Sequence, residues 1–303
     1  MKFIKGFGLL SFLVIISGSC FNPPEFPVVP QIEFEKIEFV DSPAPGFDSL
    51  NLYINFKDGD GDLGFKDDVK YISDPYHNSF FYQENAGKVQ PLATVTGYVG
   101  DDQYELLEIP NPAQGKLVSF RTRKKTEYSF LPPTFNCADY EYLGGPLDAT
   151  NSSDGRRLLI EAAAKVALDP EVRLVDSIME NDGKTVAYYQ IRDTLYYTPN
   201  PNHYNIEVDF LVKDPTAPGG FREFDWRREY CTTFDGRFPV FSDKESSIDG
   251  TLRYSMTSLG FTVLFSIKTL KLRVSIKDRQ RNTSNVIETP EFTLLGVARP
   301  AGG

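Results

Sequence analysis

Residues 204–213 read Tyr-Asn-Ile-Glu-Val-Asp-Phe-Leu-Val-Lys, and their period of two decides the class of fold. Tyr204, Ile206, Val208, Phe210 and Val212 fall on one side of an extended chain; Asn205, Glu207, Asp209, Leu211 and Lys213 fall on the other. A largely apolar face opposite a largely polar one describes an antiparallel strand half buried on a core. The same period recurs at Leu50, Leu52, Ile54 and Phe56, at Leu272, Val274 and Ile276, and at Phe261, Val263, Phe265 and Ile267. The first strand, Ile32 to Val40, changes phase at Lys36–Ile37, which predicts a β-bulge.

Strand candidates lie near 194–197, 203–213, 221–226, 251–256, 261–267, 271–278 and 285–295. An earlier set lies near 32–40, 50–57, 92–98, 103–109, 116–122 and 127–131. Short strands separated by turn signals predict an all-β protein of immunoglobulin- or fibronectin-like antiparallel β-sandwiches. The expected division is a sandwich over 31–143, a helical and hairpin insertion over 144–192, and a second sandwich over 193–298. Within the insertion, Arg156 to Leu168 is rich in helix formers, with Asp154 as N-cap and Pro170 as stop. Val172–Ile178 and Lys184–Ile191 flank Asn181-Asp182-Gly183 and predict a hairpin.

Composition bounds the function. The chain has 303 residues and 41% hydrophobic content, enough for packed cores and too much for a disordered chain. Lys+Arg 32 against Asp+Glu 42 leaves a net charge of −10, which argues against a nucleic-acid partner. Two histidines and three cysteines give little material for His-based catalysis or a zinc site.

The N-terminus carries an address. Lys2 and Lys5 precede an apolar stretch from Phe7 to Ile16, then Ser17, Gly18, Ser19 and Cys20. The stretch has the length of a secretory signal and is too short to span a bilayer. Cys20 after three small residues resembles the lipobox of bacterial lipoproteins, with Ser17 standing where that family more often has Leu. The resemblance implies removal of residues 1–19 and a lipid-modified Cys20; ordinary secretion with cleavage nearby is the other reading. Residues 20–30 contain Pro23, Pro24, Pro27 and Pro30, an extended tether reaching roughly 30 Å at polyproline II spacing. With Cys20 acylated, Cys137 and Cys231 remain as an even pair, either a disulfide in an oxidising compartment or two buried thiols.

The sharpest local motif is Asp58-Gly-Asp60-Gly-Asp62-Leu63-Gly64, followed by Asp67 and Asp68. Alternating aspartates in a Gly-rich turn gather hard oxygens and suit a structural calcium ion. The motif departs from an EF-hand at Leu63, where the turn glycine belongs, and at Val69, where a bidentate Glu belongs. An acidic turn whose aspartates cap their own backbone is the competing reading.

Residues 52–65 (LYINFKDGDGDLGF) resemble a strand and turn of outer-membrane lipoproteins of Bacteroidota. Residues 200–206 (NPNHYNI), 236–239 (GRFP), 276–286 (IKDRQRNTSNV) and Thr289-Pro290 are similar to the same group. The resemblance implies an outer-membrane lipoprotein with immunoglobulin-like sandwiches, on the periplasmic or the outer face. It brings no catalytic residues.

Other side chains are candidate ligand contacts. Tyr76, Phe80, Phe81 and Tyr82, with Tyr140 and Tyr142, are aromatic loop residues of the kind that stack on sugars, although sandwiches also use such residues in cores. His203 and His77 lack a nucleophile partner and read as structural. Trp226 suits a core position or a cation–π pair, and Arg121, Arg123, Lys124 and Lys125 a solvated strand end. The expectation is a lipid-anchored binding or docking protein and not an enzyme, an accessory subunit of an outer-membrane uptake or export assembly. A glycan-binding lipoprotein is the alternative, and a carboxylate-dependent hydrolase the third reading.

Overall fold

The computed structural model describes residues 26–42, 47–65, 75–99, 104–121, 136–143, 156–170, 172–179, 182–242 and 246–299. Along the chain run β1 (Gln31–Val40), β2 (Asp48–Asp58), β3 (Ser79–Asn85), β4 (Lys88–Val99), β5 (Tyr104–Glu108) and β6 (Gly115–Leu117). Then come β7 (Tyr140–Tyr142), β8 (Leu158–Glu161), β9 (Leu174–Met179), β10 (Val186–Ile191), β11 (Thr194–Pro199), β12 (Ile206–Lys213) and β13 (Phe221–Phe224). The last elements are helix α1 (Trp226–Tyr230), β14 (Ile248–Ser258), helix α2 (Phe261–Phe265), β15 (Leu270–Ile276) and β16 (Ile287–Glu288). The fold is all-β and sandwich-like.

One core lies between a three-stranded sheet, β1-β2-β14, and a four-stranded sheet, β13-β12-β15-β16. The strand pairs of both sheets are antiparallel. Leu50, Leu52, Ile54 and Phe56 of β2 turn inward to meet Ile206, Val208, Phe210 and Val212 of β12 and Leu270, Leu272, Val274 and Ile276 of β15. Full burial of each such side chain is worth about 1.5–3 kcal/mol, so the alternating register is strongly held. Trp226 is a core residue: its ring lies 4.8 Å from Phe234 and 5.4 Å from Phe210, both edge to face.

The chain between the two sandwich halves builds a second core on a nine-stranded sheet, ordered β7-β11-β3-β4-β5-β8-β10-β9 with β6 on β3. Its pairs are antiparallel except β5 with β8. Phe81, Val95, Leu107, Ile160, Ile191 and Leu195 line that core, beneath a short 3-10 segment, Ala162–Ala167.

The structure divides the chain differently from the expectation. Residues 31–143 are not one sandwich: β1 pairs with β2 and β2 with β14, and the strands from β3 to β11 belong to the middle sheet. The physical reason is edge satisfaction. β2 is buried on its apolar face and needs a ladder on both sides, which β1 and β14 supply over its full length. The stretch 144–192 is likewise no separate insertion, since β8, β10 and β9 continue the same sheet. The hairpin expected there is present as β9–β10.

Three further expectations are corrected. Residues 261–267 form no strand; Phe261–Phe265 is a helical turn that carries the chain from one sheet to the other. The helix expected over 156–168 is strand β8 followed by the 3-10 segment, because Leu158 and Leu159 pair with β10 on one side and β5 on the other, and Ile160 continues the ladder with β10. The expected strand 285–295 reduces to β16 and a bridge from Leu270 to Phe292. The bulge in β1 falls between Phe34 and Lys36, just ahead of the expected position. The strand expected at 127–131, the cap at Asp154 and the basic residues 123–125 lie outside the described residues.

Candidate functional site

The acidic turn caps the end of β2. Gly59 donates its amide to the Pro27 carbonyl at 2.8 Å, which ties residues 26–30, the leader into β1, to the turn. A β-carbon on Gly59 would stand 2.4 Å from the Phe26 carbonyl oxygen, so this approach requires glycine. Gly61 takes a left-handed φ of 72°, and the Asp62 amide then donates back to Asp58 Oδ2 at 3.0 Å. Leu63, which occupies the EF-hand glycine position, is fully buried in the sandwich core.

A second turn, following β15, closes over the first. Arg279 donates its amide to the Asp62 carbonyl at 3.2 Å, and Gln280 Nε2 donates to Asp60 Oδ2 at 2.7 Å. Asp278 accepts from the Asn282 amide and side chain, each at 2.7 Å. Arg279 sends its guanidinium to the Gly64 carbonyl at 3.2 Å, and the Tyr76 hydroxyl donates to the Arg279 carbonyl.

One carboxylate oxygen from each of Asp58, Asp60 and Asp62 lies within 4.8 Å of the others. Asp58 is 0% exposed and Asp62 8%. The Oδ1 atoms of all three are buried without a hydrogen-bond partner. Burial, then the neighbouring Asp60, pushes the Asp58 carboxyl up to about 6. Burial, then Asp278 and Asp60, pushes Asp62 up to about 7. Burial also raises Asp278, against the hydrogen bonds from Asn282. The donor set is all oxygen, the chemistry of a hard cation. Asp67 and Asp68 lie outside the described residues.

Where the two cores meet, His203 is held by backbone and charge. Its Nδ1 lies 3.0 Å from the Tyr76 carbonyl, and Arg237 reaches that carbonyl at 2.8 Å and the His203 carbonyl at 2.5 Å. Burial, then the Arg237 guanidinium, pushes His203 down to about 4, so it is neutral at neutral pH. His77 is fully buried, edge-on to Phe80 with centroids 4.3 Å apart. Cys137 and Cys231 form a disulfide with Cα atoms 5.3 Å apart, joining the loop before β7 to the end of α1. Arg121 pairs with Asp193 at 3.0 Å.

The six aromatics expected as ligand contacts separate. Phe81 and Tyr140 are buried, correcting their reading as loop contacts: Phe81 fills the middle core and Tyr140 packs on Tyr196 at 5.3 Å. Tyr76, Phe80 and Tyr82 are half-buried, Tyr82 stacking on Tyr196 at 4.2 Å. Tyr142 is exposed and accepts from Arg192 Nε at 3.2 Å.

Two features escaped the sequence reading. One is Asp278, whose Lys277-Asp278 at a strand end repeats Lys57-Asp58 and was the available signal. The other is the far end of the sandwich, where Phe47, Leu259, Val263, Ile267 and Leu295 stand exposed, Val263 at 81% and Ile267 at 93%. These residues share one end because Asp48 pairs with Ser258, α2 then leads to β15, and residues 292–298 cross from Leu270 to Phe39. Among the described residues no helix is long and apolar enough to cross a membrane.

In comparison with known proteins, no family, curated protein or solved structure matches this chain.

Proposed function

We propose that this chain is a lipid-anchored docking protein of the outer membrane, an accessory subunit of an uptake or export assembly. The observation that carries the reading is the exposed apolar end of the sandwich, opposite the end where the leader joins. Clustered exposed apolar side chains mark a contact surface. β2 alone spans about 35 Å at strand rise, and the tether adds its own reach, so this end stands well away from the anchoring lipid. Its partner is therefore an integral outer-membrane protein that presents apolar surface outside the bilayer. The Cys137–Cys231 bridge supports the oxidising compartment and leaves Cys20 as the cysteine available for acylation.

The test is a pull-down of the full chain, tagged at its C-terminus, from gently solubilised outer membranes. A stoichiometric integral partner is expected, lost in a V263D/I267D double variant whose unfolding temperature is unchanged. Purification of the parent protein alone would sink the docking reading. The glycan alternative rests on Tyr142, the one exposed aromatic of the six.

A further inference from the structure

The geometry points to a calcium site at the leader end of the sandwich, formed by Asp58, Asp60 and Asp62. Three acids in a turn would be unremarkable if each carboxylate capped an amide or faced water. Here Asp58 uses Oδ2 for the Asp62 amide and leaves Oδ1 buried and unpartnered, and the nearly buried Asp62 does the same with its own Oδ1. A buried carboxylate oxygen without a donor is strongly disfavoured and calls for a cation. Calcium binds oxygen at about 2.3–2.6 Å, so oxygens across one ion stand up to about 5 Å apart. The triad, with its oxygens within 4.8 Å, fits that sphere. Nitrogen and sulfur ligands are absent from the cluster, which disfavours zinc. Magnesium prefers a tight octahedron completed by several waters, a poor match to a buried protein cage.

The surrounding turn makes the site more than a local cap. Asp278 adds a fourth negative charge, but Asn282 occupies both its oxygens, so it is a positioning residue that deepens the field. Gln280 fixes Asp60 through Oδ2. An ion held by the triad would thus lock residues 58–64 against residues 278–282 and, through Arg279, against Tyr76. That is where the chain passes between the two cores. This inference is independent of the docking reading.

The experiment uses the complete mature chain, stripped with EGTA and titrated with calcium chloride by calorimetry, with magnesium chloride in parallel. One saturable calcium site is expected, with magnesium about tenfold weaker or more, and a rise in unfolding temperature with calcium. Asp62→Asn should weaken calcium binding about tenfold or more, since a ligand charge is lost. Its ion-free form should unfold no lower than the parent, because a buried like charge is removed. Asp249→Asn, at an exposed acid on β14, should bind as the parent does. Hydrogen exchange at the Arg279 and Asn282 amides should slow with calcium in the parent and not in Asp62→Asn. A folded parent that shows no saturable binding, or an Asp62→Asn variant with unchanged affinity, overturns the inference.

Discussion

The two ends of the sandwich are built on opposite principles. At the leader end, hydrogen bonds tie residue 27, the 58–64 turn, the 278–282 turn and Tyr76 into one polar assembly. At the other end, Val263, Ile267 and Leu295 stand over 80% exposed, at the crossings between sheets. Polar groups removed from water demand specific partners, so the first end has one arrangement and resists change. Apolar groups left in water carry no geometric demand until something covers them. One end is therefore suited to being held, and the other to being met.

Removing the Cys137–Cys231 bridge gives the largest expected effect, because it closes a loop of 94 residues between the middle sheet and the sandwich. A double Cys→Ala variant should lose about 4–5 kcal/mol in urea unfolding. A smaller loss would show that polar contacts where the cores meet already fix their attachment. Next comes the apolar end. Phe265 is fully buried and Val263 exposed, although they are two residues apart. Phe265→Ala should cost about 3–5 kcal/mol. Equal costs at Phe265 and Val263 would restore the strand reading and abolish the contrast between the ends.

The leader end also carries a pH signature. In EGTA, Asp58 and Asp62 hold protons up to about 6 and about 7, whereas unfolded aspartate releases them near 3.8. Folded stability from this turn therefore falls as pH rises from about 4 to about 7. His203 acts in the opposite sense: the unfolded ring takes its proton near 6.5 and the folded one only near 4. Its share of stability is present above 6.5 and is lost as pH falls towards 4. Urea midpoints across this range should show the first trend weakened in Asp62→Asn, with the share of Asp58 up to about 6 remaining, and the second trend lost in His203→Gln. The smallest effect is expected for Val263→Thr, within about 0.5 kcal/mol of the parent.

Much of the sandwich was legible because its central strands carry a strict period of two. Ile206, Val208, Phe210 and Val212 are all buried, as their alternation requires. Phe261, Val263, Phe265 and Ile267 alternate equally well, yet only the two phenylalanines are buried. The difference lies in neighbours: β12 has β13 and β15 on its flanks, whereas 261–267 must carry the chain from β14 to β15 in the opposite sheet. Periodicity reports a face and says nothing of the ladder that makes a strand. Long-range pairing is invisible for the same reason: nothing in the alternation of β2 points to β14 as its second partner. The acidic turn was legible in its spacing. Asp278 was not, because its relation to Asp58 exists only once β2 and β15 share a core.

The pairing of Asp48 with Ser258 has a consequence for how the chain is made. Synthesis delivers the N-terminus first, so β1 and β2 emerge as a lone hairpin with an open edge and an uncovered apolar face. Such a hairpin is marginal alone and its edge invites foreign strands. The middle sheet, whose strands are all consecutive in the chain, can close while the hairpin waits. Only when β14 arrives does β2 gain its second ladder, a closure over most of the chain and intrinsically slow. The earliest strands to leave the ribosome are thus among the last to be sealed, and until then they are the segment most open to pairing with foreign strands.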